Sequence, residues 1–107
     1  MSQSKRMRYG LSDHDIAAIQ DVFKIYPKIS TAILYGSRAK GNYRPGSDID
    51  LTLQGEQLDY TDLVAIDNAL DELLLPYTID LSIYHHIENP DLIKHIERVG
   101  QEFYSKK

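Results

Sequence analysis

The chain has 107 residues, 42% hydrophobic and 26% charged, which is the size and balance of a single domain (1–107) and excludes disordered, collagen-like and coiled-coil classes. Its 12 basic and 16 acidic residues sum to −4, which argues against holding nucleic acid by bulk charge but not against contact with one nucleotide. With no cysteine, disulfides, thiolate zinc sites and thiol nucleophiles are excluded, and no apolar run suits a bilayer or a signal peptide, so a cytoplasmic protein without membrane contact is expected.

Residues 1 to about 11 read as a flexible basic tail. Ser12 then caps a predicted helix running to about Tyr26, with Ile16, Ile19, Phe23 and Tyr26 at helical spacing, and Pro27 ends it. Residues 29–35, ISTAILY, are apolar on both parities and predict a strand covered on both faces. Gly36 stops that strand, and Gly36-Ser37 opens a short piece able to begin a helix. Gly41, Pro45 and Gly46 punctuate the loop that follows.

Residues 48–53, DIDLTL, alternate strictly, with Ile49, Leu51 and Leu53 on one face and Asp48, Asp50 and Thr52 on the other. Leu63, Ile66, Leu70 and Leu73 mark a second amphipathic helix ended by Pro76; its acids Asp59, Asp62, Asp67, Asp71 and Glu72 read as a solvated face. YTIDLSIY, 77–84, alternates again and sets Asp80 on its polar face. His85-His86 closes that strand with side chains expected on opposite faces, which speaks against a joint metal site. Asn89-Pro90 reads as an N-cap and first helical residue of a helix to about Val99. Gly100 closes it, and QEFY predicts a short last strand. The order is that of one α/β domain, a small mixed sheet flanked by helices.

The chemistry concentrates in the middle of the chain. Asp48 and Asp50 are two residues apart and so project from one strand face. Like charges that close oppose each other's ionisation unless a cation joins them, and a hard oxygen-seeking ion such as Mg²⁺ is the natural partner. If the strand bearing Asp80 lies alongside with its polar face aligned, three carboxylates meet, enough for metal-assisted phosphoryl or nucleotidyl transfer. Just upstream, Gly36 allows close backbone approach to a phosphate, the Ser37 hydroxyl can bond it, and Arg38 and Lys40 can neutralise it. Ten residues separate Ser37 from Asp48, which lets an anion site and a metal site sit together.

GSRAKGNYRPGSDIDL, residues 36–51, resembles the Gly-Ser, ten residues, Asp-x-Asp signature of the DNA polymerase β-like nucleotidyltransferase superfamily, and the short chain with its strand-borne Asp80 resembles the minimal nucleotidyltransferase (MNT) branch. The resemblance implies that fold. It implies that Gly36 and Ser37 hold the triphosphate of ATP or another NTP, and that Asp48 and Asp50 bind Mg²⁺, two ions in all. Asp80 completes the metal site or takes the proton of the incoming hydroxyl. Arg38 and Lys40 lie in the spacer the signature leaves open, so their phosphate role rests on charge and position.

The similar aminoglycoside nucleotidyltransferases add a helical second domain, whereas this sequence ends at Lys107. By analogy with HEPN/MNT toxin–antitoxin pairs, a small helical HEPN protein is expected in trans as partner and AMP acceptor, with this chain as the antitoxin; a homo-oligomer is the other assembly weighed. The competing reading is a binding module that neutralises a toxin by covering it. The intact Asp48, Asp50 and Asp80 favour the enzyme. A receiver-like domain begins with a strand and needs a distant lysine, and none occurs here between Lys40 and Lys94.

Overall fold

Helix starts in this chain are written in its capping residues. In a computed structural model that describes residues 7–106, Ser12 Oγ accepts from the Asp15 N–H and opens helix α1, Asp13–Lys24. Asp59 and Asp62 form a reciprocal capping box at the start of α3, Tyr60–Asp71. Asn89 Oδ1 takes the N–H groups of Asp91 and Leu92 ahead of α4, Pro90–Val99. The short helix α2, Gly36–Lys40, follows strand β3 without a side-chain cap.

A two-stranded hairpin, β1 (Met7–Arg8) and β2 (Leu11–Ser12), precedes α1. Tyr9 and Gly10 both have positive φ, the requirement of a two-residue turn that follows the strand twist. Residues 7–11 are therefore not a tail, and Leu11 is fully buried. Residues 1–6 of the expected tail lie outside the described residues.

The main sheet contains β3 (Thr31–Tyr35), β4 (Ile49–Gln54), β5 (Ile79–Ile83) and β6 (Gln101–Ser105), in the order β5-β4-β3-β6. β3 is antiparallel to β4 and β6, while β4 and β5 are parallel. A parallel pair needs a crossover, and α3 supplies it. One sheet face carries Ala32, Leu34, Ile49, Leu51, Leu53 and Ile83. These pack with Ile16, Ile19 and Phe23 of α1 and Ile66 and Leu70 of α3 in one apolar core. Fully burying such a side chain is worth about 1.5–3 kcal/mol, so this face dominates the stability. The bounds of all six predicted long elements match within a few residues, and the expected mixed sheet flanked by helices is observed.

The other face is covered less well. α2 and α4 pack together across the β3 side of it, and Thr31 and Ile33 are only half-buried because a cleft of about 360 Å³ remains between them, Tyr84 and Ile96. The expectation that ISTAILY is covered on both faces fails here. The polar residues of β4 and β5 look onto this second face.

Candidate functional site

Strand pairing brings the carboxylates together. Asp50 and Asp80 are direct register partners in the parallel β4/β5 pair, and Tyr35 opposes Asp50 from β3. Asp48 stands two residues before Asp50, at the exposed end of the loop where β4 begins. Burial pushes the Asp50 carboxyl up from its ordinary range, and the negative charges of Asp80 and then Asp48 push it further. Burial likewise raises the Tyr35 phenol; the nearby Ser82 hydroxyl opposes this, and Asp80 and Asp50 add to it. The site is thus one connected electrostatic unit spread over three strands.

Gly36 is fitted against that unit. Its φ is +76°, in the left-handed region, and a Cβ built there would collide with Asp50 Oδ2 and lie 3.2 Å from Asp50 Cγ. Only a residue without a side chain lets the α2 backbone lie directly against the Asp50 carboxylate. Ser37 follows in the same first turn, half-buried, and Lys40 is exposed at the end of α2.

Arg38 takes a different place from the one its charge suggested. It is 2% exposed. Its guanidinium donates to Ser47 O from Nε at 3.1 Å and from Nη2 at 2.8 Å, to Tyr9 O at 2.8 Å, and to Pro45 O at 3.3 Å. It lies 5.2 Å from the Tyr43 ring centre and 5.0 Å from that of Tyr77. With its fork spent on backbone carbonyls, Arg38 ties the N-terminal hairpin to the loop that carries Asp48. It leaves the expected phosphate-binding set, and Lys40 remains as the exposed base beside the loop.

His95 was not foreseen. It sits on α4, and its Nε2 accepts the Gly36 N–H at 3.2 Å, while its ring meets Tyr35 edge-on with centres 6.1 Å apart. Nothing near it in sequence signals this role, since its partner is 59 residues away. One step along the strands from Asp50 and Asp80, the buried hydroxyls Thr52 Oγ1 and Ser82 Oγ are register partners and lack a hydrogen-bond partner of acceptable geometry among the described residues. His85 and His86 lie in a 3₁₀ turn after β5, not on the strand. Their rings sit 4.6 Å apart at right angles, rather than on opposite faces.

Among the described residues no three acidic or imidazole side chains stand close enough to form a metal cage. Asp50 and Asp80 share a sheet face and Asp48 adds its charge from the loop, without the three closing round a point. That arrangement suits Mg²⁺ nonetheless, because this ion keeps several waters and is usually held by one or two carboxylates together with substrate phosphates. The adjacent Asp50 and Asp80 are hard oxygen donors whose mutual repulsion a divalent cation relieves.

Comparison with known proteins gives a consistent result. The fold is similar to that of a toxin–antitoxin crystal structure with AMP-PNP, at TM-score 0.68 and 21% identity, covering 84% of this chain and 73% of that one. It is also similar to the toxin–antitoxin MntA-HepT, at TM-score 0.64 and 18% identity over 88% and 73% of the two chains. A tri-AMPylated Shewanella oneidensis HEPN toxin in complex with MNT antitoxin gives TM-score 0.58 and 18% identity over 85% and 72%. At these identities the likeness is one of fold. No curated protein matches the sequence significantly. The family model described as polymerase beta, nucleotidyltransferase matches residues 17–107, a span that takes in all four strands of the main sheet, and the chain belongs to that family.

Proposed function

We propose that this chain is an Mg²⁺-dependent nucleotidyltransferase that moves a nucleoside monophosphate, AMP from ATP in the first instance, onto a hydroxyl of a partner protein, and that it is the antitoxin of a HEPN/MNT pair. The observation that carries this reading is the register of Asp50 against Asp80 with the Gly36 backbone pressed onto the Asp50 carboxylate. Family membership supports the reaction class, and the toxin–antitoxin complexes of like fold support the partner and the nucleotide.

In the reaction the acceptor oxygen attacks the α-phosphorus. The bond from that phosphorus to the oxygen bridging it to the β-phosphate breaks, and pyrophosphate leaves. Asp50 and Asp80, with Asp48 in the loop beside them, would hold Mg²⁺ jointly with the substrate phosphates, whose charge the ion when bound would offset. Gly36 and Ser37 orient the triphosphate, with Lys40 nearby as a counter-charge. Asp80, the more exposed of the paired carboxylates, is best situated to receive the hydroxyl proton.

The test is the intact mass of the co-purified partner, first shown to be unmodified, after incubation with this protein, Mg²⁺ and each NTP in turn. Mass increments of whole nucleoside monophosphates are expected, and they disappear in the Asp48→Asn/Asp50→Asn variant. An unshifted partner with every NTP would refute the enzyme, and neutralisation by the variant would establish the covering role instead.

A further inference from the structure

β5 is the edge strand of the main sheet, and among the described residues it pairs only with β4. The Ile49 N–H donates to Thr78 O at 2.9 Å. Backbone groups alternate sides along a strand, so those of Asp80 turn toward β4 while the N–H and C=O of Ile79 and Leu81 turn outward. Such an edge is a template for another strand.

Beside this edge runs a groove of about 240 Å³, walled by Tyr60, Leu63, Val64 and Asp67 of α3 and by Ile79 to Leu81 of β5. Its apolar lining is accessible from solvent: Tyr60 is 71% exposed and Val64 41%. Its two charged residues, Asp67 and Asp80, are both acidic, and neither is in a salt bridge among the described residues. No lysine or arginine occurs from Pro45 through Ile93, so nothing in this stretch neutralises them. Asp67 and Asp80 line the same groove, which makes it continuous with the carboxylate site.

Resting on the proposed transfer reaction, we propose that the groove along the outer edge of β5 seats an extended basic segment of the acceptor protein, which adds to the sheet as a strand and brings its hydroxyl to Asp80. Main-chain bonds to Ile79 and Leu81 supply affinity without regard to sequence. Tyr60 and Val64 take an apolar side chain, and Asp67 takes a lysine or arginine. Charge complementarity selects this occupant over a second copy of the chain, whose corresponding edge is equally acidic. Asp80 is itself one of the residues that wall the groove, so a segment lying in it reaches the carboxylate pair.

The experiment uses the whole chain and two short peptides. One alternates lysine and valine around a central tyrosine; the other has glutamate in place of each lysine. Amide NMR at millimolar peptide is read for shifts and for hydrogen exchange. The basic peptide is expected to shift residues 60–67 and 79–83 and to slow exchange of the Ile79 and Leu81 amides. The acidic peptide leaves them unchanged, and the Tyr60→Ser/Val64→Lys variant, altered only at exposed positions, weakens binding at least about tenfold.

No shifts, equal shifts with both peptides, shifts without added amide protection, or an unaffected variant would each overturn the proposal. So would self-association of the wild type that Val64→Lys abolishes, because a second copy would then own the edge. The two readings fail separately. Transfer that persists in the groove variant sinks the docking site and spares the enzyme, whereas binding at β5 with no transfer under any NTP does the reverse.

Discussion

Replacing Gly36 by alanine separates the chemistry from the fold. The new methyl must adopt φ near +76°, which costs an L-residue about 1–2 kcal/mol. It must also displace the Asp50 carboxylate, whose Cγ and Cβ lie 3.2 and 3.5 Å from the position of the new atom. Because the obstacle is the end of a side chain rather than backbone, the fold can yield by moving Asp50 roughly 1 Å, a misplacement that costs a reaction about a hundredfold. Gly41 is the matched control: its φ is +91°, and a Cβ there meets nothing within 4 Å. Both alanine variants should lower the Tm by a similar amount, about 5–15 °C for a domain of this size. Only Gly36→Ala should lose nucleotide transfer, by about a hundredfold, as read by the rate of mass gain on the acceptor. Near-normal transfer by Gly36→Ala, or an equal loss in Gly41→Ala, would refute the claim that the glycine exists to bring backbone against the carboxylate.

Arg38→Met leaves the carbonyls of Tyr9, Pro45 and Ser47 without their donor, at about 1–3 kcal/mol for each left buried and unsatisfied, so urea should unfold it at a clearly lower midpoint. Arg38→Lys should not restore stability, since an ammonium cannot reproduce the planar fork; unchanged stability with weakened nucleotide binding would return Arg38 to the phosphate site. His95→Phe removes the acceptor for the Gly36 N–H, a bond worth about 1 kcal/mol, and should slow transfer several-fold while His95→Gln recovers part of it; equal behaviour of the two would dismiss the hydrogen bond. The raised Asp50 carboxyl makes its ionisation unfavourable to folding: the group's contribution is fully present below about pH 3.9 and is lost as pH rises through its elevated folded value. Asp50→Asn should therefore raise the Tm at neutral pH in chelator-treated buffer, with the gain shrinking toward acid pH, even as it abolishes transfer. A variant no more stable than wild type at pH 7 would contradict that electrostatic account.

What the sequence made legible follows from the range of the interactions concerned. Ser12 and Asn89-Pro90 act within one helical turn, so those two helix starts could be read directly, whereas Asp59 and Asp62, read as part of a solvated face, form the capping box of α3. Alternation in DIDLTL and YTIDLSIY likewise gave strand faces, and hence the shared side of Asp50 and Asp80. Where reading failed, the deciding partner was distant or the local pattern was too short. Arg38 looked like a surface base because charge ordinarily means exposure; the carbonyl of Tyr9 and the ring of Tyr77, remote in sequence, are what bury it. His95 faces Gly36 only because α4 folds back over β3 and α2. The Met7–Ser12 hairpin has two residues per strand, too few for any alternation to show, and the chain leaves β5 at Tyr84, which takes His85 and His86 off the strand geometry assumed for them.

The two sheet faces depend on each other through register. A slip of one residue between β4 and β5, with β4 held by β3, would turn Asp80 into the apolar core and send Leu81 to the polar face, so the pairing is held by Ile49, Leu51, Leu53 and Ile83 against α1 and α3. None of these side chains faces the site, yet they determine that Asp50 meets Asp80 rather than its apolar neighbours. The face they leave carries mutually repelling carboxylates and a buried hydroxyl, Thr52 Oγ1, without a partner among the described residues, each unfavourable to folding taken alone. Their concentration on the side where α2 and α4 leave the sheet partly open is what a binding face requires. A ligand bringing positive charge and hydrogen-bond partners relieves there the features that burden the free chain. Binding should accordingly raise the Tm, and more so when nucleotide, Mg²⁺ and acceptor are present together than with any one alone. Equal stabilisation by nucleotide alone and by the full set would mean that the acceptor lies elsewhere.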